Sequence, residues 1–340
     1  MLRTKLCDRL GVTCPIIGAP MGFVTGPELT AAISNAGGLG VMSFSANPPP
    51  ALRDQIGRVR GLTSKPFGVN VLLSGLHLPF PVDAVVDAIL DEQVSILSTF
   101  WGDPAPFVSR AHSAGAKVMH QVGSVADARR AADAGVDVIV AQGVEAGGHV
   151  AGQVTTMALV PRVVDAVSPV PVVAAGGIAD ARGLVAALAL GAQGIMIGTR
   201  LIATAEAYAH SAYKQKVLAA TEDQTVVTTL FGYGWPNAPH RTLRTQFVES
   251  WLPNEARGSE QRDDEPQIGV TKIGGQPVPV LRFVGFPPTP DAEGDIESMD
   301  FLAGQSVGLV QELKPAAEII REMINGAEQI LFELWPHRAG

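Results

Sequence analysis

Eight short apolar runs recur along the first two thirds of the chain, and their spacing constrains the fold more than any other feature. They lie at 15–19 (PIIGA), 39–42 (LGVM), 67–72 (FGVNVL), 94–97 (VSIL), 116–120 (AKVMH), 137–141 (DVIVA), 171–175 (PVVAA) and 194–198 (GIMIG). Seven intervals between residues 15 and 194 give a repeat of about 26 residues, the size of a β-strand followed by a helix. Several runs are apolar at adjacent positions rather than alternating, as in strands covered on both faces. Two intervening segments open alike, on ADAR at 126–129 and at 179–182, and each runs through alanine-rich sequence to a glycine, Gly135 or Gly191. The glycines suit left-handed helix ends, and Ser124 with Asp127 resembles an N-terminal capping box. Eight such units predict a (β/α)8 TIM barrel, ahead of an open doubly wound sheet, which needs fewer strands.

The repeat stops after Gly198. Residues 204–313 carry helical sequence, a Pro/Gly-rich stretch and the polar run NEARGSEQRDDEPQ, whose part at 254–266 is expected to be mobile. Helical periodicity returns over 315–334 through Ile319, Ile320, Met323, Ile324 and Ala327. The predicted organisation is therefore a barrel of residues 1–203 and 314–340. A smaller segment, 204–313, is inserted between strand 8 and the last helix, where it would shape substrate access.

Composition narrows the function. With 25 Lys and Arg against 33 Asp and Glu the chain is acidic, which argues against nucleic acid and anionic membrane as partners. Cys7 and Cys14 cannot build a disulfide framework or a zinc site by themselves and suit a reducing cytoplasm. No apolar run reaches membrane-spanning length and none near the start resembles a signal segment. Walker, HExxH and strand-to-helix GxGxxG motifs are missing from the sequence, and no GxSxG nucleophile elbow follows any of the eight apolar runs.

Barrel enzymes work at the C-terminal ends of their strands. Here those ends carry Pro20, Met21 and Gly22 after strand 1, Ser43 after strand 2 and Asn70 in strand 3. Ser98 and Thr99 follow strand 4, His120 and Gln121 strand 5, and Gln142 strand 6. Ala175, Gly176 and Gly177 end strand 7, with Asp180 just inside the next helix, and Gly198 and Thr199 end strand 8. The last two loops are where barrels bind phosphate, although the glycines also fit plain turns. The glycine-rich segment QGVEAGGH at 142–149 ends in an imidazole, so His149 reads as functional against the alternative of a surface histidine. His120 and Asp180 have no ligand spacing with it, and no metal is expected.

Together these motifs resemble the nitronate monooxygenase family of FMN-dependent barrels (2-nitropropane dioxygenases), which is related to flavin-dependent enoyl-ACP reductases. The resemblance runs through GAPMG (18–22), NAGGLGVMS (35–43), FGVNVLL (67–73), HQVGSVADA (120–128), VAQGVEAGGHVAG (140–152), VVAAGGIADARG (172–183), IMIGTR (195–200) and FLAGQSVGLV (301–310). It implies FMN across the barrel mouth, with Ala19, Pro20, Met21 and Gly22 beside the ring. Asn70, Gln121 and Gln142 would meet its polar edge or side chain, and Gly147 and Gly148 would line it. Ala175, Gly176, Gly177, Gly198 and Thr199 would hold its phosphate, and His149 matches the family's active-site histidine. The implied reaction is oxidation of an alkyl nitronate or nitroalkane by O2 to a carbonyl compound and nitrite, with Met21, Met42 and Phe100 as an apolar surround. The resemblance also allows a homodimer. The alternatives are an NAD(P)H-dependent reductase of enoyl thioesters or quinones, a flavin-free phosphate-binding lyase or isomerase, and a non-catalytic flavin carrier.

Overall fold

The computed structural model describes residues 2–73 and 80–334. Met1 and 335–340, the ends of the expected barrel segments, lie outside the described residues. Eight parallel strands form one sheet: β1 (Ile16–Gly18), β2 (Gly40–Ser43), β3 (Phe67–Leu72), β4 (Ile96–Phe100), β5 (Lys117–Val122), β6 (Val138–Gln142), β8 (Val172–Ala175) and β9 (Gly194–Ile197). β7 (Gly148–His149) belongs elsewhere. β1 pairs with β9 at one edge, and the Ile17–Leu39 bridge joins it to the start of β2, so the sheet closes into a barrel. This is the (β/α)8 TIM barrel the repeat predicts.

Alternation along the strands splits the core in two. Val138 and Val140 point inward to pack with Ile17, Val41, Met119 and Val173, while Ile139 and Ala141 face the surrounding helices. The helix Lys5–Leu10 plugs the lower end by adding Leu6, Cys7 and Leu10 to the inner cluster. Both thiols are free and buried, and burial pushes Cys14 up to about 11, so it is a poor nucleophile. Gly135 and Gly191 adopt positive φ at the ends of Val125–Asp133 and Ala181–Ala189, and the Ser124 hydroxyl accepts from Asp127 N–H as its spacing suggests. The closing helix is Ala316–Leu334. It packs against Ala181–Ala189 and Pro27–Asn35, which completes the ring of helices.

The structure revises two expectations. β4 runs on to Phe100, so Ser98 and Thr99 are buried strand residues rather than loop residues. The segment 254–266 is ordered by charge: Glu265 is buried between the guanidinium groups of Arg257 and Arg282, each at 2.6 Å, and Leu252–Ser259 forms a 3-10 helix. Between β9 and the closing helix the chain also forms β10 (Thr225–Thr228), β11 (His240–Leu243), β12 (Gln267–Ile273), β13 (Gln276–Leu281) and β14 (Glu293–Gly294). The last three make a small antiparallel sheet.

Two glycine substitutions test this packing in opposite directions. A Cβ on Gly40 would sit 2.0 Å from the Thr30 carbonyl oxygen, whereas one on Gly57, exposed within Pro49–Leu62, meets nothing within 4 Å. Gly40→Ala is expected to cost about 1–3 kcal/mol and Gly57→Ala to gain roughly 0.5–1 kcal/mol; denaturant unfolding of both variants checks this.

Candidate active site

The upper ends of the strands open into a cavity of about 470 Å³, within the range of small-molecule sites. The residues expected to hold the cofactor line it, with His149: Ala19, Pro20, Met21, Gly22, Asn70, Gln121, Gln142, Gly147, Gly148, Ala175, Gly176, Gly177, Gly198 and Thr199. Residues more than 170 positions apart in sequence thus face one space.

Strand alternation decides which polar side chains take part. Asn70 lines the cavity and its Oδ1 accepts from Ser98 Oγ at 3.0 Å. Gln121 lines it one residue beyond His120, which does not. His120 Nδ1 lies 2.8 Å from Thr99 Oγ1, and burial drives this imidazole down to about 4. Asp180 is the cap of Ala181–Ala189, accepting from Arg182 and Gly183 N–H, rather than a residue inside that helix. Neither is placed for a metal: among the described residues no three His, Cys, Asp or Glu side chains gather to hold one. Met42 is buried away from the cavity, and Phe44 takes the place expected for it.

The glycine-rich segment is tied at several points. Glu145 accepts from the Thr156 backbone N–H at the start of Thr156–Val167, and Arg241 donates to the Val144 carbonyl through two nitrogens, at 3.0 and 2.8 Å. β7 pairs antiparallel with β11, which in turn pairs with β10, and His149 stands opposite His240. Gly147 is required by protein packing: a Cβ there would lie 2.5 Å from Gly304 N. Gly148 differs, with a φ of 73° and no atom closer than 4.0 Å to such a Cβ. Gly147 thus serves a close approach between chain segments, and Gly148 a backbone turn.

His149 lies beneath the Trp235 ring, stacked at 4.1 Å between centroids and 21° between planes, with His240 5.4 Å away on another side. Its Nε2 is buried and has no hydrogen-bond partner among the described residues. Burial pushes the imidazole down to about 3, with His240 adding a smaller push in the same direction. The free protein therefore carries His149 neutral. Gln142 Nε2 donates to the His149 carbonyl at 3.0 Å, while its Oε1 is a buried acceptor with no partner. Thr199 Oγ1 accepts from Gly304 N–H at 2.9 Å, which leaves its own proton available to donate.

Sequence reasoning missed the residues that come from beyond 204. Phe231, Tyr233, Trp235, Phe286 and Leu302 line the cavity, as do Phe23, Ser45 and Ala46 from the first two loops. The available signal was FGYGWPNAPHR: Gly234 takes a φ of 87° just before Trp235, and His240–Arg241 alternates one side chain toward His149 and the next toward Val144.

An apolar-floored barrel whose strand ends converge on a lone neutral imidazole and unpaired amide oxygen has the layout of a barrel oxidoreductase. The sequence matches the nitronate monooxygenase family over residues 3–326, and the chain belongs to that family. It is similar to a (3aS,4S,5R,7aS)-5-hydroxy-7a-methyl-1-oxo-octahydro-1H-indene-4-carboxyl-CoA dehydrogenase of Mycobacterium tuberculosis, 39% identical over 250 residues covering 73% of this chain and 68% of that protein. Among solved structures, FabK from Thermotoga maritima superimposes with a TM-score of 0.81 at 33% identity, covering 99% of this chain and all of that one. A nitroalkane oxidase from Streptomyces ansochromogenes does so at 0.78 and 27% identity, covering 97% and 99%. No helix among the described residues is long and apolar enough to cross a membrane.

Asp300, just before Leu302, offers a pH test of this buried region. Both its carboxylate oxygens are buried, and burial lifts it to about 7 against a smaller lowering by the neighbouring Thr242 hydroxyl. A raised acid pKa means the native state holds a proton that the unfolded chain releases above about 4, so this group's contribution to stability declines as pH rises toward 7. Asp300→Asn is therefore expected to stabilise the protein more at pH 8 than at pH 4, read as the difference in denaturation midpoint at the two pH values.

Proposed function

We propose that this enzyme oxidises alkyl nitronates, and the corresponding nitroalkanes, with O2 to carbonyl compounds and nitrite, using FMN held across the barrel mouth. The observation that carries the reading is the meeting of fifteen motif residues around one cavity with the unpartnered Nε2 of His149 beside it. The residues fit such a ring. Gln142 Oε1 is a ready acceptor for a ring N–H, and Thr199 has a hydroxyl proton to offer a phosphate. Gly176 and Gly177, at φ of 100° and 74°, turn main chain toward the same end. Bound FMN would supply electron acceptance from the substrate and transfer to oxygen.

The remaining chemistry is the chain's own. Neutral His149 has a lone pair free to accept the α-proton of a nitroalkane. Burial weakens it as a base, and the nitronate anion formed beside it would offset the charge it gains. A preformed nitronate needs no base, and His149 then orients its nitro group. Trp235 fixes the imidazole plane, and its π face is the group available to stabilise the imidazolium once a proton arrives. Asn70, tied to Ser98, and Gln121 would bind the polar part of the cofactor. The segment 204–313 acts as the lid that excludes water and admits substrate, since Phe231, Tyr233, Trp235 and Phe286 come from it.

A second reading, NAD(P)H-dependent reduction of an enoyl thioester or quinone, draws on the resemblance to enoyl-ACP reductases and uses the same loops. The similarity to the indene-carboxyl-CoA dehydrogenase favours a related thioester chemistry over 73% of the chain.

His149→Asn tests the first reading. FMN content should be unchanged while turnover of a neutral nitroalkane, followed by oxygen uptake and nitrite release, falls about 10²–10⁴-fold, with a smaller loss on the preformed nitronate. Unchanged kinetics would remove His149 from the reaction.

A further inference from the structure

Among the described residues, the lining of the cavity contains no Asp, Glu, Lys or Arg. Three cations that neighbour site residues in sequence are turned elsewhere. Arg241, next to His240, is spent on the Val144 carbonyl and the Thr225 hydroxyl. Arg200 donates to the Glu312 carbonyl, and Lys214 to that of Thr204. Each of these cations is directed at a backbone carbonyl, so none is offered to a ligand.

The outer end of the cavity is aromatic. Phe23, from the loop after β1, meets Phe286, from the segment after β13, at 4.8 Å between ring centroids and 57° between planes. Phe23 holds a left-handed backbone, φ 61°, with its N–H donated to Ser45 Oγ at 2.8 Å, and Ser45 and Ala46 share that conformation at 49° and 54°. Non-glycine residues in this region carry strain that the surrounding structure must offset. Three of them at one rim place the Phe23 ring against Phe286. Tyr233 lines the same space, bridged through its backbone to Val284.

We propose that this cavity selects substrates whose only charge is at the reacting nitro group, and that the Phe23–Phe286 pair holds an apolar substrate body. This specifies the substrate class of the nitronate-oxidising reading above and rests on it. The polar atoms of His149 and Gln142 meet the nitro end. At the Phe23–Phe286 end a second charge meets rings, main chain and uncharged hydroxyls such as that of Ser45, with no cation among the lining residues. Burying a carboxylate there without a partner costs far more than burying an alkyl group of the same shape.

An isosteric pair isolates the charge, because a carboxylate and an isopropyl group have nearly the same outline. The nitronates of 4-methyl-1-nitropentane and of 4-nitrobutanoate are compared on the FMN-loaded enzyme by kcat/KM for nitrite release. The apolar substrate should be favoured by at least about 100-fold. Phe286→Arg, or Tyr233→Arg should the first variant fold poorly, puts a cation at the rim and should shrink that ratio at least about 10-fold. Binding is read separately with the unreactive pair 4-methylpentan-1-ol and 4-hydroxybutanoate, through tryptophan fluorescence, since Trp235 lines the cavity and Trp101 packs on it at 5.3 Å.

Equal kcat/KM for both nitronates with equal binding of both probes would overturn the selection and leave nitronate oxidation standing. Nitrite from neither nitronate, with the alcohol still bound in preference to the hydroxy acid, would overturn nitronate oxidation and leave the charge selection standing. A carboxylated nitronate preferred by the unmodified enzyme would overturn the selection outright.

Discussion

The site depends on one ligature. Arg241 grips the Val144 carbonyl with two nitrogens while its neighbours on β11 pair with β7, so the segment inserted after β9 holds the glycine-rich loop of β6 in place. Without that attachment, a loop with glycines at 143, 147 and 148 would have many conformations to lose on ordering. The same pairing puts His240 opposite His149, and the turn before β11 brings Trp235 down on the imidazole. A barrel alone would offer strand ends; the added segment turns one of them into a defined, buried imidazole.

Burial then sets the chemistry. The interior of the barrel below the cavity is sealed by Leu6, Cys7 and Leu10, the wall above it is aromatic, and no carboxylate acts on the buried His149 to offset a positive charge. Its resting state is neutral, which suits a proton acceptor better than a standing anion holder. An anionic ligand or a transferred proton would change that balance, and the Trp235 face is placed to respond. The stack is thus more than packing: it joins the orientation of the base to the energy of its charged form.

Much of this was legible in the sequence, because the barrel repeats itself. Apolar runs of fixed spacing, a glycine after each alanine-rich helix and polar residues at strand ends are local signals, and the fifteen residues singled out from them and from the family resemblance line one cavity. Two kinds of feature were not legible. Strand length depends on pairing with neighbours: β4 extends to Phe100 because Val71 and Leu72 of β3 continue beside Thr99 and Phe100. The roof comes from a stretch without periodicity, where Gly234, Trp235 and His240 acquire meaning only through contacts with β7. The polar run around 265 looked mobile because Glu265 is charged; its two arginine partners lie 8 and 17 residues away in sequence, and pairing rather than hydrophobicity orders it.

The account stands on electrons passing from a nitronate, not from a nicotinamide, into a flavin beside His149. Anaerobic mixing of the FMN-loaded protein with an alkyl nitronate, and separately with NADH and NADPH, reads this through the flavin's visible absorption. Rapid bleaching by the nitronate, with recovery on admitting air and little change with either nicotinamide, is the predicted result. Rapid bleaching by NADH or NADPH and none by the nitronate would contradict it.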